Sequence, residues 1–414
     1  MSDRIIYLDH AATTPLDQRV LATMLPYLSE QPGNPSSIHQ FGRAALHALD
    51  DAREAVALVL GCTRKEIIFT GGGSESDNLA LKGVALAQRQ RGRGSHIITS
   101  AIEHHAVLHA AEYLEQIGFE VTLLPVDGAG LVRPDDLRAA IRPDTVLVSV
   151  MYANNEVGTV QPIADLGAIC RERGVPLHTD AVQAAGMLPL DVEALNVDLM
   201  TLTAHKFYGP KGVGLLYARH GTPLTPQING GGQERRRRAG TENVPGIVGL
   251  ATALTMAEER RPAYAARLRG LRDRLIDGVL ERIPQSWLNG DRERRLPNNA
   301  NLGFACAEGE SVLLLLDQRG ICASSGSACS SGSLEPSHVL TAMGLSVDNA
   351  TCSVRFSLGQ GSHAEDIDAV VAALPALIDR LREVAPCQSR SRTSPHAVGE
   401  DNSGRVANMG QTPA

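Results

Sequence analysis

Several absences in this chain narrow what it can be. Its seven cysteines, at 62, 170, 306, 322, 329, 352 and 387, are odd in number, widely scattered and contain no C-x-x-C pair. That argues against both a disulfide framework and a structural zinc site. No apolar run is long enough to span a bilayer, and "MSDRIIYLDH" lacks the charged start and long apolar segment of a signal peptide. The expectation is a cytosolic protein with no membrane partner. Positive charge is not in excess either: 39 Lys and Arg stand against 46 Asp and Glu, for a formal charge of −7. A broad basic field for nucleic acid is therefore missing, and the run "RRRR" at 235–238 is the local exception. No internal repeat is found.

What is present is a chain of 414 residues, 43% hydrophobic, sufficient for one large core or two unequal ones. Short apolar runs, "EIIFT" (66–70), "HIITS" (96–100), "TVLVSVM" (145–151), "VPLHT" (175–179) and "DLMTLT" (198–203), recur with helical stretches between several of them. This spacing predicts βα units and a mostly parallel sheet. "VGLLY" (213–217) follows a Gly/Pro turn, not a helix, so it is expected to enter the sheet in the opposite sense. From about residue 245 the texture changes to a long Ala/Arg/Glu/Leu-rich stretch, then "LPNNANLGF", "ESVLLLLDQRG" and a last helical stretch to about 384, which predicts a smaller α+β domain. The polar, aperiodic end reads as a disordered tail.

Three stretches carry chemistry. "FTGGGSESDNLALKGVA" (69–85) sets a glycine turn between a strand and a helix, where Gly73, Ser74 and the helix N-terminus suit a phosphate. It has neither G-K-[ST] nor a full G-x-G-x-x-G. "LHTDAVQAAG" (177–186) ends a strand on Asp180, with Gln183 three residues on, and carboxylates at such strand ends face the ligand crevice. "TLTAHKFYGPKGVG" (201–214) puts Thr203, His205 and Lys206 on a short turn after another strand, where a desolvated amine could attack a carbonyl. Singly these have ordinary readings: a Ser-capped helix start, a solvated loop aspartate, a surface lysine. Together they are the parts needed to hold pyridoxal phosphate. "SAIEHHAVLH" and "YANNEVGT" add a histidine and a polar turn, each after a strand.

With these motifs in view the chain resembles the cysteine desulfurases of the NifS/IscS family, class-V aminotransferase relatives with the aspartate-aminotransferase fold, fold type I. The matching stretches are "YLDHAATTP", "GNPSSIHQFG", "GGGSESDNLA", "IEHHAVL", "ANNEVGTVQPI", "HTDAVQAAG", "AHKFYGPKGVG", "GGQERRRRAGTEN", "SSGSACSSGSLEPSHVL" and "VRFSLG", in family order over roughly residues 5 to 384. The resemblance implies an α/β fold with a large cofactor-binding domain at 16–257. A small domain would comprise 1–15 and 258–385, with a tail at 386–414. It implies that Lys206 bonds covalently to pyridoxal 5'-phosphate, Asp180 holds the pyridine nitrogen and His104 stacks on the ring. Gln183 and Asn155 would contact the phenolic oxygen or nearby substrate atoms. Gly73, Ser74, Thr203 and His205 would hold the phosphate, joined by Thr241 from the neighbouring subunit of a homodimer. Arg355 would pair with the substrate carboxylate, a role its fork suits, with Asn34 near the same site.

The same resemblance makes Cys329 the nucleophile that takes sulfur from L-cysteine and leaves L-alanine. Its setting, "ASSGSACSSGS", is a small-residue tether with reach and little to pack. The implied sulfur acceptor is an iron–sulfur scaffold of the NifU/IscU type, with Cys329 the residue to contact a nascent cluster and no resident metal. Details such as "RRAGTEN" lean toward the nitrogen-fixation type. The alternative on this fold is a selenocysteine lyase or another sulfur transferase dependent on the same cofactor. Cys322 stands where a small or apolar residue is expected and reads as a buried strand position or a relay thiol. The four arginines read as a face for an acidic scaffold or as solvated groups near the cofactor phosphate.

Overall fold

The computed structural model describes residues 4–325 and 336–384. Cys329 and the tail from 386 lie outside the described residues. In chain order the strands are β1 (Ile6–Tyr7), β2 (Ile67–Thr70), β3 (His96–Ser100), β4 (Glu120–Leu124), β5 (Thr145–Ser149) and β6 (Leu177–Asp180). They continue with β7 (Leu199–Thr203), β8 (Gly214–Ala218), β9 (Ser286–Asn289), β10 (Asn299–Phe304), β11 (Ile321–Cys322) and β12 (Ser353–Ser357).

Seven of these form the main sheet in the order β2-β8-β7-β6-β5-β3-β4. The five apolar runs become β2, β3, β5, β6 and β7, and every residue of these strands is buried. Helices on both faces leave no polar side to such strands, which is why they read as continuous apolar runs. β4 escaped that reading because it is a sheet edge with Glu120 and Leu123 exposed, whereas the other edge, β2, is buried throughout. β8 runs antiparallel to both its neighbours, as its entry from a turn implied. The stretch 204–213 between β7 and β8 is too short for the dozen or more residues a parallel crossover needs.

A second unit pairs β12-β10-β9 antiparallel and β1 with β11 parallel. Its core gathers Leu8, Phe304, Val354, Phe356 and Leu374, while the main core gathers Leu60, Ile98, Val148, Met200 and Leu250. One helix, Val244–Arg282, serves both: Ala257 is its last residue in the main core and Tyr264 its first in the second. Pro262 falls between the two, where a missing N–H is least costly to packing. The Leu-rich stretch forms the helix Gly309–Asp317 and the last helix is Ala364–Val384.

The arginine run leaves Arg235 and Arg236 exposed, as a solvated group would be, yet it also builds local structure. Glu234, Arg235 and Arg236 have φ of 45°, 56° and 64°, three successive non-glycine residues in a region that disfavours side chains. A buried fork offsets that strain: the Arg53 guanidinium donates to both Glu234 carboxylate oxygens at 2.7 and 2.9 Å, and the Phe69 N–H adds a third bond at 3.0 Å. Arg235 donates to the carbonyls of Arg64, Lys65 and Ile67, and Arg238 pairs with Glu75 at 2.9 Å. Half of the run therefore builds the turn beside the glycine loop. Glu234→Ala, which strands a buried guanidinium, is expected to cost about 3–5 kcal/mol in urea unfolding of the protein, with Glu234→Gln losing less.

Candidate active site

A cavity of about 390 Å³ opens at the carboxyl ends of the parallel strands, where open α/β sheets bind ligands. It is lined by ten of the residues singled out from the sequence: Gly73, Ser74, His104, Asn155, Asp180, Gln183, Thr203, His205, Lys206 and Arg355. Asn34 and Thr241 are exposed and lie outside this cavity. Lining residues that sequence reasoning missed include Asp77, Met151, Val182 and the backbone of Ala11 and Ala12. Asp77 had a readable signal, since it follows Ser74 by three on the same helix and so shares its face.

Each side chain is placed by local chemistry. The glycine turn ends at Gly72, the cap of the helix Gly73–Gln90, so Ser74 stands in the first turn and is not the cap. β8 passes so close that a Cβ on Gly214 would stand 2.7 Å from the Gly72 carbonyl carbon, which requires glycine there. Asp180 closes β6, and its carboxylate accepts the Val182 N–H at 2.9 Å in an Asx turn that fixes its direction. Lys206 ends the 3-10 turn Ala204–Lys206 directly after β7. Its amine donates to the carbonyls of Ala11 at 2.5 Å and Ala12 at 2.8 Å. The Gln183 amide also donates to Ala11, at 3.0 Å, and the His205 ring meets the Thr13 hydroxyl at 3.2 Å. A stretch of the first fourteen residues thus forms one wall.

Arg355 on β12 is 2% exposed. Its guanidinium donates to the Asn155 carbonyl at 2.9 Å and to the Asp9 carboxylate at 2.8 Å. The Asn155 turn is braced by its neighbour: the Asn154 side chain accepts from the N–H groups of Glu156 and Val157 and donates to the Ile102 carbonyl.

Burial sets the charge states. His104 caps the helix His105–Gln116, and its Nδ1 accepts the Ala106 N–H at 3.1 Å, so the neutral ring carries its proton on Nε2. Burial, aided by Lys206, pulls its pKa down to about 4. Burial likewise lowers His205 to about 4 and raises Asp180 to about 6, the latter opposed by the Val182 N–H and Lys206. Glu103, just behind His104, accepts from the Ser100 hydroxyl at 2.5 Å and the Met151 N–H at 2.9 Å, yet burial still raises it to about 8.

The donor set fits pyridoxal phosphate on its own terms. A buried carboxylate at a strand end is a poor group to leave without a cationic partner, and a protonated ring nitrogen supplies one. The helix start at Gly73 and Ser74, with Thr203 and His205, borders a second opening lined also by Gly71, Gly72, Lys211 and Glu75, where the helix N–H groups and Lys211 suit an anion and the Glu75 carboxylate is paired with Arg238. Among the described residues no cluster of three or more His, Cys, Asp or Glu is arranged to hold a metal ion. No described helix is long and apolar enough to cross a membrane.

Comparison with known proteins decides the family. The aminotransferase class-V model matches residues 6–370. The chain belongs to that family, whose enzymes depend on pyridoxal phosphate. It is 53% identical over 384 residues to the cysteine desulfurase IscS of Methanosarcina thermophila, covering 93% of this chain and 94% of that one. Among solved structures it is similar to a NifS-like protein, with a TM-score of 0.83 and 39% identity over 92% of this chain and 99% of the other. SspA in complex with cysteine matches with a TM-score of 0.76 and 41% identity, over 85% and 98% of the two chains. The fold expected from the resemblance, a fold type I architecture with a mostly parallel sheet, is the one found.

Glu103 yields a pH signature of this class-V aminotransferase site. A carboxyl raised in the folded state holds a proton that the unfolded chain releases, so its contribution to stability is lost as pH rises from about 5 through about 8. Thermal melts of parent and Glu103→Gln across that range are expected to show a flatter pH dependence for the variant, with its advantage largest at the alkaline end.

Proposed function

We propose that the protein is a pyridoxal-phosphate-dependent cysteine desulfurase, converting L-cysteine to L-alanine and passing the sulfur, as a Cys329 persulfide, into iron–sulfur cluster assembly. The observation that carries this reading is the meeting of Lys206, Asp180, His104 and Arg355 in one cavity of a chain that is 53% identical to a cysteine desulfurase. When bound, the cofactor withdraws electrons from the substrate's α-carbon and so opens its sulfur to attack by a thiolate.

The chain's own residues divide the remaining work. Asp180 holds the ring nitrogen, Gly73, Ser74, Thr203 and His205 hold the phosphate, and Asn155 and Gln183 lie by the phenolic oxygen and the substrate. Lys206 anchors the cofactor and moves the proton at the substrate's α-carbon. Arg355 grips the carboxylate. The segment carrying Cys329 is fastened at the site on both flanks, which supports its role. Ser324 pairs with the Arg355 backbone, the Ser337 hydroxyl donates to buried Glu156 at 2.5 Å, and the His338 ring meets the Glu103 carbonyl at 2.9 Å. Cys322 on β11 is half-buried beside Tyr7 with its thiol pKa raised by burial, which favours a strand role over a relay.

A homodimer completes this reading. Ile38 is 90% exposed and Phe41 51%, an apolar face on the same loop and helix start as Asn34. A second copy seated there would bring Asn34 to the substrate and Thr241 to the partner's cofactor phosphate. The division into a large domain at 16–257 and a small one flanking it belongs to the same proposal. The acceptor is an iron–sulfur scaffold of the NifU/IscU type, with nitrogenase cluster maturation among its destinations. The cytoplasm belongs to the same proposal; the thiols at 62, 170, 322 and 352 are free, whereas Cys306 is disulfide-bonded, against the expectation of no disulfide.

The test measures alanine and sulfide released from L-cysteine with added thiol reductant. The parent is expected to release both in equal amounts, and Cys329→Ser to keep the visible absorbance of the lysine-bound cofactor while releasing no sulfide. Lys206→Ala is expected to lose that absorbance and about 10²–10⁴-fold in turnover. A Cys329→Ser protein as active as the parent would overturn the persulfide assignment. A parent that turns over selenocysteine but not cysteine would make it a selenocysteine lyase.

A further inference from the structure

We propose that Asp9 is a positioning residue that sets how tightly Arg355 holds the carboxylate of substrate and product, an inference that rests on the reading of Arg355 as the carboxylate group's partner. The Asp9 carboxylate lies 2.8 Å from one Nη of Arg355, with side chains 21% and 2% exposed. The other Nη is committed to the Asn155 carbonyl. Asp9 does not swing freely. Its carbonyl accepts from the Tyr7 hydroxyl at 3.1 Å and the Ala12 N–H at 3.1 Å, and its backbone bridges to Ser357 on the strand of Arg355.

Two consequences follow from that geometry. A guanidinium buried this deeply needs a counter-charge, and Asp9 supplies it before any ligand arrives. A second carboxylate then meets a cation already offset by the first and is repelled by it, so it is held in a defined orientation and only moderately tightly. A site that must discharge L-alanine after every turnover is better served by such a tempered cation than by a bare one. The same segment carries the Ala11 and Ala12 carbonyls that hold Lys206, so Asp9 also fixes the spacing between the amine and the carboxylate grip.

Charge and orientation separate by substitution. Asp9→Asn keeps an oxygen able to accept from the guanidinium and removes the negative charge. Asp9→Ala removes both. Binding of L-alanine to the holoenzyme, followed by cofactor absorbance and by calorimetry, is expected to tighten on the order of tenfold in Asp9→Asn. The KM for L-cysteine should fall alongside kcat as product leaves more slowly. Asp9→Ala should bind alanine more weakly than Asp9→Asn. An Asp9→Asn protein that binds alanine no more tightly than the parent would overturn the proposal.

Should Asp9→Asn not fold, the parent alone decides: a carboxylate facing a tempered cation should favour L-alanine over L-alaninamide by less than about a hundredfold, and a preference of a thousandfold or more would overturn it. The underlying reading fails separately, if Arg355→Ala binds alanine as the parent does.

Discussion

The burial of one guanidinium organises this protein. Arg355 cannot lose its charge, and at 2% exposure it cannot draw on water, so the chain must bring it partners from elsewhere. They come from remote parts of the sequence: the carboxylate of Asp9 and the carbonyl of Asn155 meet the side chain, while Ser324 pairs with its backbone. Satisfying Arg355 thus closes the amino-terminal segment over the sheet, sets the turn after β5 and fixes the start of the segment that bears Cys329. The cavity is what remains between these pieces.

The sheet supplies the other half of the frame. Asp180 and Lys206 follow adjacent parallel strands, and Gly73 and Ser74 follow β2, which runs the same way because β8 reverses between it and β7. Asp180, Lys206, Gly73 and Ser74 thereby leave the sheet at one end, as the proposed grip on ring nitrogen, amine and phosphate requires. Burial, aided by the charge of Lys206, lowers the pKa of His104 and His205, and burial keeps Glu103 behind the cavity reluctant to ionise.

Much of this was legible in the sequence, and the reasons are physical. Strands buried on both faces carry short apolar runs, so the runs that become β2, β3, β5, β6 and β7 stood out, whereas β4 has exposed Glu120 and Leu123 at a sheet edge and did not. Residues in short turns after strands were readable because sheet topology dictates where such turns point. Asp9, Glu103 and the carbonyls of Ala11 and Ala12 were not readable as site elements. Their roles depend on tertiary approach across hundreds of residues, and a backbone carbonyl leaves no trace in residue identity. The arginine run was only half readable: a cluster of charges suggests solvent or a partner, and only the left-handed turn at Glu234 reveals that Arg235 and Arg238 also build local structure.

The long reach of these contacts bears on how the chain comes off the ribosome. The carbonyls of Ala11 and Ala12 are made first, the amine of Lys206 they hold arrives 195 and 194 residues later, and the guanidinium that pins Asp9 comes 346 residues after it. Gly73, Ser74, Asp180, Thr203 and Lys206 are all in place once the turn after β7 has emerged, and Gln183, His205 and Lys206 by then hold residues 11–13; only the tie from Arg355 to Asp9 waits for β12. The final closure of this wall is therefore tied to the last strand to be made, and a chain cut short of β12 keeps the Lys206 contacts but leaves Asp9 without its guanidinium.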